Sequence, residues 1–252
     1  MLFFFYDIIL GVRKERILLK LIVENLNKSY GEKEVLKDIS ITFEDGKIYG
    51  LLGRNGAGKT TFFNALNEDI DINSGNFYLE TEFGKNKLQT KDIGYVVSTP
   101  TVPEFLTGKE FLQFFLDINK DRIKDLKDID YYFDLVKLSK EDQNILLKEY
   151  SHGMKNKIQI LINIIANPKV ILLDEPLTSL DIVVQEDMKK LLKSLKKDHI
   201  IIFSTHILEL AMDLCDEMVI LSNKKLECMA KENLNTKKYK ERIIKELREE
   251  DA

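Results

Sequence analysis

The stretch IYGLLGRNGAGKTT at residues 48–61 decides the fold, because it runs from an apolar strand through a glycine-rich loop into the start of a helix. Residues 53–60 match the pattern G-x-x-x-x-G-K-[S/T] at every fixed position. Glycines let the backbone turn tightly, so that several N–H groups point at one anion. The N-terminus of the following helix adds a partial positive charge. The stretch therefore predicts a phosphate-binding loop.

The side chains of this loop extend the prediction to Mg-ATP. We expect Lys59 to reach the β- and γ-phosphates and the Thr60 hydroxyl to bind Mg²⁺. A chance glycine-rich turn is the alternative, and the strand before the loop and the helix after it argue against that alternative. The residues predicted to contact the nucleotide from this loop are Gly53, Arg54, Asn55, Gly56, Ala57, Gly58, Lys59, Thr60 and Thr61.

Two adjacent carboxylates, Asp174 and Glu175, follow the apolar run Val170–Leu173. Such a continuous apolar run is typical of a strand buried on both faces. In an open α/β sheet, ligands bind at the carboxyl ends of the strands. We expect Asp174 to bind the magnesium and Glu175 to orient or deprotonate the attacking water. The alternative, ordinary surface charges at a strand end, is weakened by the phosphate loop.

Further apolar runs in the second half of the chain alternate with helical patterns. Ile200–Phe203 and Met218–Leu221 read as core strands, the second as the last one, and Ile182–Leu195 and Ile207–Cys215 read as helices. This alternation predicts an α/β fold with a mainly parallel sheet.

Short β-strands are predicted in the first hundred residues. Leu21–Val23, Ile39–Phe43 and Ile93–Val97 have β-rich composition, and turns are expected at 44–46 and 73–75.

A helical region is predicted from about residue 100 to 165. A helix within it is predicted to start at Thr107, where the T-G-K-E sequence has the form of a capping box. At the other end of the chain, Lys237–Glu250 reads as a charged amphipathic helix.

Composition argues against a nucleic-acid partner and a disulfide-stabilised fold. The 252-residue chain has a formal net charge of −4, so it shows no general affinity for polyanions. Its two cysteines, Cys215 and Cys228, form no disulfide framework, which fits a reducing cytosol. No segment approaches the roughly 20 apolar residues that span a bilayer. Two interpretations of residues 2–12 stay open: a membrane-contacting arm, or a translation start nearer Leu18 or Leu19.

Taken in order, these motifs resemble the nucleotide-binding subunits of ABC ATPases, over about residues 21–227. The resemblance implies that Tyr30 stacks on adenine. Residues 150–154, YSHGM, resemble the family signature LSGGQ, in which Ser151 and Gly153 would contact the γ-phosphate held by another subunit. His152 and Met154 depart from the commonest form of that signature. His206, after Ser204 and Thr205, resembles the family's switch histidine.

One family residue is missing. The strand at 93–97 resembles the one that leads to the family's Q-loop glutamine, but Ser98 occupies the matching position. Ser98 is shorter, so it would reach the magnesium only through a closer backbone or a water. Ser98 is therefore included among the predicted metal-site residues, with Thr60 and Asp174.

For the fold, the resemblance implies a RecA-like P-loop NTPase core, an N-terminal antiparallel β subdomain and an inserted helical subdomain. The predicted division is an N-terminal extension at 1–20, the ATPase domain at 21–227 with its helical subdomain at about 100–165, and a charged C-terminal helix at 228–252. Residues 179–181, Ser-Leu-Asp, resemble the D-loop, and Asp181 would also cap a helix.

For function, the resemblance implies an ATPase with Lys59, Glu175 and His206 as catalytic residues and with ATP and Mg²⁺ as cofactors. A second ATPase subunit and a separate transmembrane permease would be its partners, which places it in the cytoplasm at the inner face of the cell membrane. The YSHGM form resembles ATPases of small drug or lantibiotic exporters. The alternatives are a cytosolic ABC ATPase without a channel, such as an iron–sulfur-cluster assembly factor, and a non-hydrolysing regulatory subunit, which the intact Asp174–Glu175 pair argues against.

Overall fold

A computed structural model of the chain describes residues 18–121, 123, 126–178, 180–230, 241 and 243–245. The predicted N-terminal run at 2–12, Ser179 of the predicted D-loop and most of the predicted C-terminal helix lie outside these residues. The described residues form ten strands, namely β1 (Lys20–Tyr30), β2 (Lys33–Glu44), β3 (Ile48–Leu52), β4 (Ser74–Thr81), β5 (Gly84–Lys87), β6 (Ile93–Val96), β7 (Val170–Leu173), β8 (Ile200–Thr205), β9 (Glu217–Ser222) and β10 (Lys225–Ala230).

They also form seven α-helices, namely α1 (Lys59–Leu66), α2 (Gly108–Asn119), α3 (Ile129–Leu135), α4 (Lys140–Asn144), α5 (His152–Ala166), α6 (Ile182–Leu195) and α7 (Leu208–Leu214). Short 3₁₀ turns lie at Thr90–Asp92, Leu147–Glu149 and Lys196–Asp198. No helix within these described parts of the chain is long and apolar enough to cross a membrane.

The central sheet has six strands in the order β10-β9-β3-β8-β7-β6. All neighbouring pairs from β9 to β6 are parallel, whereas β10 pairs with β9 in the antiparallel direction. The parallel strands are apolar along their length because both faces are covered. On β7, for example, Ile171 and Leu173 face one apolar cluster, and Val170 and Leu172 face another. The predicted parallel sheet is confirmed.

Different elements cover the two faces of this sheet. On one face, Met188 and Leu192 of α6 and Leu210 and Leu214 of α7 pack against the strands. On the other face lie helix α1 and a four-stranded antiparallel sheet with the order β2-β1-β4-β5. A third apolar cluster fills the helical region and includes residues of α2, α3 and α5. The structure thus has a P-loop core, an antiparallel β layer and a helical region.

Two predictions were wrong in detail. The turn expected at 73–75 is largely strand, since β4 begins at Ser74. Gly75 has φ 100° there, and a Cβ atom at this position would lie 2.4 Å from the carbonyl oxygen of Asn25 on β1, so both the backbone angle and the close approach favour glycine. The strand at Met218–Leu221 is not the last, because the chain turns at Asn223 and Lys224, both with positive φ, and returns as β10. Such positive φ angles are typical of tight hairpin turns.

The end of the described chain differs from the predicted boundary as well. Residues 228–230 belong to β10 and not to a C-terminal helix. Residues 241 and 243–245 are helical, and Ile243 is buried against the core cluster that contains α6 and α7. The predicted amphipathic helix therefore contacts the core through Ile243.

The buried strand β7 gives a test of where the fold's stability lies. Leu172→Ala removes a fully buried side chain, and we expect it to lower the free energy of unfolding by about 2–5 kcal/mol. Urea denaturation of the two proteins measures this. Phe83→Ala, at a side chain that is 82% exposed, is the control and should change the free energy by less than about 0.5 kcal/mol. Equal effects of the two changes would contradict the assignment of the core.

Candidate nucleotide site

The phosphate loop lies between β3 and α1, as predicted. Gly58, the N-cap of α1, adopts φ 111°, and a Cβ atom there would lie 2.9 Å from Cγ1 of Val35 on β2. Only glycine tolerates both the backbone angle and the close approach. No side chain caps α1, so the first N–H groups of the helix remain available to an anion.

Lys59 is the buried cation of the loop, with a relative exposure of 6%. Its Nζ donates hydrogen bonds to the carbonyl oxygens of Gly53 (2.8 Å) and Arg54 (3.1 Å), and it lies 3.5 Å from Oε1 of Glu175. A buried charge is costly unless it is paired, and these oxygens pair it. The ammonium group is therefore held where the loop and the strand-end carboxylates meet.

Asp174 links the phosphate loop to the central sheet. Its Oδ2 accepts a hydrogen bond from the Thr60 hydroxyl at 2.7 Å, and its Oδ1 accepts one from the Ser204 hydroxyl at 2.5 Å. Asp174 is only 2% exposed, so its carboxylate has little freedom to turn. A threonine hydroxyl and a carboxylate side by side are hard oxygen ligands of the kind that Mg²⁺ takes together with substrate phosphates. The residues present fit that ion.

Glu175 has an unusual backbone and a crowded side chain. Its φ of 51° lies in the left-handed region, which costs free energy for a residue with a Cβ atom and is held only by surrounding structure. Its N–H donates to Ser204 Oγ at 2.9 Å, and its carbonyl accepts from the Thr178 hydroxyl at 2.7 Å. These two bonds fix the backbone on both sides of the residue.

The Glu175 carboxylate is shared between several donors. His206 Nδ1 lies 3.0 Å from both carboxylate oxygens, and the Thr178 hydroxyl lies 3.2 Å from Oε2. Because a carboxylate only accepts, this geometry requires the proton on Nδ1 of His206. With Lys59 on Oε1, the carboxylate has a cation on one side and an imidazole N–H on the other.

Together these side chains surround a cavity of about 430 Å³. It contains both elements predicted from the sequence, the phosphate loop and the strand-end acids. Its lining residues are Asn55, Gly56, Gly58, Lys59, Thr60, Thr61, Ser98, Asp174, Glu175, Thr178 and His206. Ser98, at the position predicted for a metal-site residue, is among them.

Six other predicted residues do not line this cavity, namely Gly53, Arg54 and Ala57 of the phosphate loop together with Tyr30, Ser151 and Gly153. Tyr30 lies at the end of β1, is 50% exposed, and has Lys28 Nζ 4.8 Å above its ring. Ser151 is the N-cap of α5, and its Oγ accepts a hydrogen bond from the Met154 N–H. Gly153 lies in the first turn of α5, beside Leu180, whose Cδ2 would be 3.0 Å from an added Cβ. Arg54 contributes its carbonyl to Lys59.

Tyr95, which lies on β6 near Asp174, has a raised pKa. The Tyr95 hydroxyl on β6 donates to Oδ1 of Asn64 on α1 at 2.9 Å. Burial, with a smaller contribution from the negative Asp174, raises the pKa of Tyr95 well above its usual range. Tyr95 therefore stays neutral at physiological pH and keeps its hydrogen bond to α1.

Sequence reasoning did not identify the roles of Ser204 and Thr178. Ser204 stands two residues before His206 and is fully buried, so its hydroxyl needed a partner inside the protein. That requirement was the available signal, because a buried strand that ends in Ser204 and Thr205 has polar groups to satisfy. Thr178 gave no comparable signal, since its contact depends on how the chain turns after Pro176.

The P-loop between β3 and α1 and the acids at the end of β7 define a nucleoside-triphosphate-binding domain of the P-loop class. The family model for ABC transporters matches residues 36–178. An uncharacterised ABC transporter ATP-binding protein of Methanocaldococcus jannaschii is 36% identical over 208 residues, which cover 82% of this chain and 75% of the relative. One of Bacillus subtilis is 34% identical over 206 residues, which cover 79% of this chain and 65% of the relative.

The chain belongs to the ABC transporter family, as an ATP-binding subunit with an ATPase domain. A solved structure of the ATP-binding subunit of an ABC transporter has the same fold, with a TM-score of 0.75 and 23% identity, over 90% of this chain and 98% of that one.

Ser204→Ala tests whether the serine between the two acids matters for catalysis. The change leaves Asp174 without one donor and the Glu175 N–H without its acceptor. Losing a hydrogen bond to a charged group costs about 1.5–3 kcal/mol, so we expect kcat for ATP hydrolysis to fall about 10- to 100-fold. The KM for ATP should stay within about twofold, because the phosphate loop is unchanged.

Ser204→Cys is the matched control, with nearly the same size and a weaker donor. We expect an intermediate kcat for it. A wild-type kcat for Ser204→Ala would show that the serine does not position the acids.

Proposed function

We propose that this chain hydrolyses Mg-ATP to power an ABC membrane exporter, together with a second ATPase subunit and a separate transmembrane permease. The observation that carries the proposal is the hydrogen-bonded chain Thr60–Asp174–Ser204–Glu175 beside Lys59. It brings together, at one edge of the sheet, the groups to which we assign these roles: Lys59 for phosphate binding, Thr60 and Asp174 for metal binding, and Glu175 for accepting a proton.

ATP binding would use the phosphate loop and Lys59. The triphosphate lies across residues 53–61, where backbone N–H groups and the N-terminus of α1 receive it. Lys59 Nζ exchanges the loop carbonyls and Glu175 for oxygens of the β- and γ-phosphates. Tyr30 packs on the adenine, because an aromatic face suits any base. Thr60 and Asp174 hold Mg²⁺, with Ser98 in the same wall, and the ion supplies charge neutralisation on the phosphates.

Hydrolysis would use Glu175 as the base. A water oxygen bonds to the γ-phosphorus as the bond to the β,γ-bridging oxygen breaks, and the water proton passes to the Glu175 carboxylate. ADP leaves with the electron pair of the broken bond. The exchange of Lys59 from Glu175 to phosphate frees the carboxylate for this role. His206 orients Glu175 through Nδ1 and stabilises charge on the transferred group.

A second ATPase subunit completes the site. Ser151 and Gly153 do not line the cavity of their own chain. If they contact the γ-phosphate, as the family signature implies, they must come from another copy or a paralogue. The γ-phosphate then stabilises the closed dimer, and its loss removes the contact that holds the two subunits together.

The exporter assignment rests on the YSHGM form of the signature at residues 150–154. Such a subunit would work in the cytoplasm, at the inner face of the membrane that holds the permease. The helical region around residues 100–116 is the surface that we propose contacts the permease, and Phe105 and Phe114 are exposed there.

Glu175→Gln tests the base. The amide keeps the size of the side chain but accepts a proton far less readily, so we expect kcat to fall about 100-fold or more. ATP binding should persist, and the ATP-bound protein should elute as a dimer in size-exclusion chromatography. Glu82→Gln, the same change at an exposed position between β4 and β5, serves as the matched control. Wild-type turnover by Glu175→Gln would reject the assignment of this carboxylate.

The transporter role is tested by purification of the tagged chain from its native membranes, with mass spectrometry of the proteins that accompany it. A multi-span permease in the eluate supports the proposal. Exclusively soluble partners would contradict it and favour a cytosolic ABC ATPase, with the ATPase chemistry unchanged.

A further inference from the structure

Helix α5 carries two buried side-chain amides that leave the helix and bind separate loops of the nucleotide site. Asn156 is 2% exposed, and its Nδ2 donates to the carbonyl oxygen of Pro176 at 3.1 Å. Gln159 is 8% exposed, and its Nε2 donates to the carbonyl oxygen of Thr101 at 3.3 Å. Positions three apart lie on one face of a helix, so the two amides act on the same side of α5.

The two carbonyls belong to the segments that carry site residues. Pro176 directly follows Glu175, whose backbone is already constrained at φ 51°. Thr101 is three residues after Ser98, which lines the cavity. The two segments are neighbours, because β6 and β7 are paired and the Asp174 N–H donates to the Val96 carbonyl. A shift of α5 would therefore move both segments.

Apolar packing alone would not fix the position of α5 relative to these two segments. Ile160 of α5 belongs to the cluster of the central sheet, whereas Ile158, Leu161 and Ile165 belong to the cluster of the helical region. The helix is thus shared between two cores, and apolar contacts have little directional preference. The two amide hydrogen bonds are directional. They specify the rotation of α5 about its own axis and its position along that axis relative to the site. Among the described residues neither side-chain oxygen has a hydrogen-bond partner, so the amide nitrogen makes each link.

We propose that Asn156 and Gln159 are positioning residues for ATP hydrolysis, which tie α5, the helix capped by Ser151, to the segments that carry Glu175 and Ser98. The inference rests on the proposed hydrolysis at Glu175. It gives the helical region a polar connection to the backbone segments that carry Glu175 and Ser98. Movement of α5, which begins with the signature residues, then changes the placement of the base.

The test uses near-isosteric replacements that remove the amides, Asn156→Leu and Gln159→Met. We expect kcat to fall about 5- to 20-fold in each, because the change removes one hydrogen bond and leaves a buried carbonyl without its donor. The KM for ATP should stay within about twofold, since the phosphate loop is not contacted. A lower kcat with an unchanged KM distinguishes a positioning role from general destabilisation. General destabilisation would lower the amount of folded enzyme and leave kcat per folded molecule unchanged.

Asn144→Leu, on α4, is the control. The Asn144 amide donates to the carbonyl of Lys140 within its own helix, so it links α5 to neither loop. We expect wild-type kcat per folded molecule, measured against the folded fraction from thermal denaturation. Wild-type kcat in both Asn156→Leu and Gln159→Met would overturn the inference. An inactive wild-type protein would instead reject the proposed function on which the inference rests.

Discussion

Parallel strands have their carboxyl ends at the same edge of a sheet, and the nucleotide site depends on that constraint. Strands β3, β8 and β7 are adjacent, and each is followed by site residues: the phosphate loop, His206 and the Asp174–Glu175 pair. Their apolar side chains are covered on one face by α6 and α7 and on the other by α1 and the antiparallel sheet. Polar groups that are far apart in sequence thus meet at one edge.

Burial then sets the chemistry at that edge. Lys59, Asp174 and Ser204 are almost inaccessible to water, so each must find its hydrogen-bond partners in the protein. The resulting network places Ser204 between the two carboxylates and Lys59 beside the second. Preorganised groups of this kind need little rearrangement when charge develops during a reaction. The positive φ of Glu175 is tolerated because Ser204 and Thr178 hold the backbone on either side.

Much of this could be predicted from sequence because the signals are local. The phosphate loop is a continuous motif, and Val170–Leu173 and Ile182–Leu195 have the bounds that their hydrophobic patterns predicted. Where prediction failed, the cause was contact with distant parts of the chain. Gly75 reads as a turn residue, yet it lies in a strand because β1 passes close to it. The links from Ser204 to Asp174 and from Asn156 to Pro176 join positions 30 and 20 residues apart, and no local pattern indicates them.

Binding of Mg-ATP between the phosphate loop and the strand-end acids is the central requirement of the proposed function. A crystal structure of the protein with Mg²⁺ and a non-hydrolysable ATP analogue tests it most directly. We predict a metal ion at about 2.0–2.1 Å from Thr60 Oγ1. A second ligand at the same distance is either an Asp174 oxygen or a water molecule that is hydrogen-bonded to Asp174. The ion replaces the direct hydrogen bond between Thr60 and Asp174. Lys59 Nζ should contact the terminal phosphates, with Glu175 free of Lys59. Nucleotide bound elsewhere, or a retained Lys59–Glu175 pair with the analogue in the loop, would contradict the account.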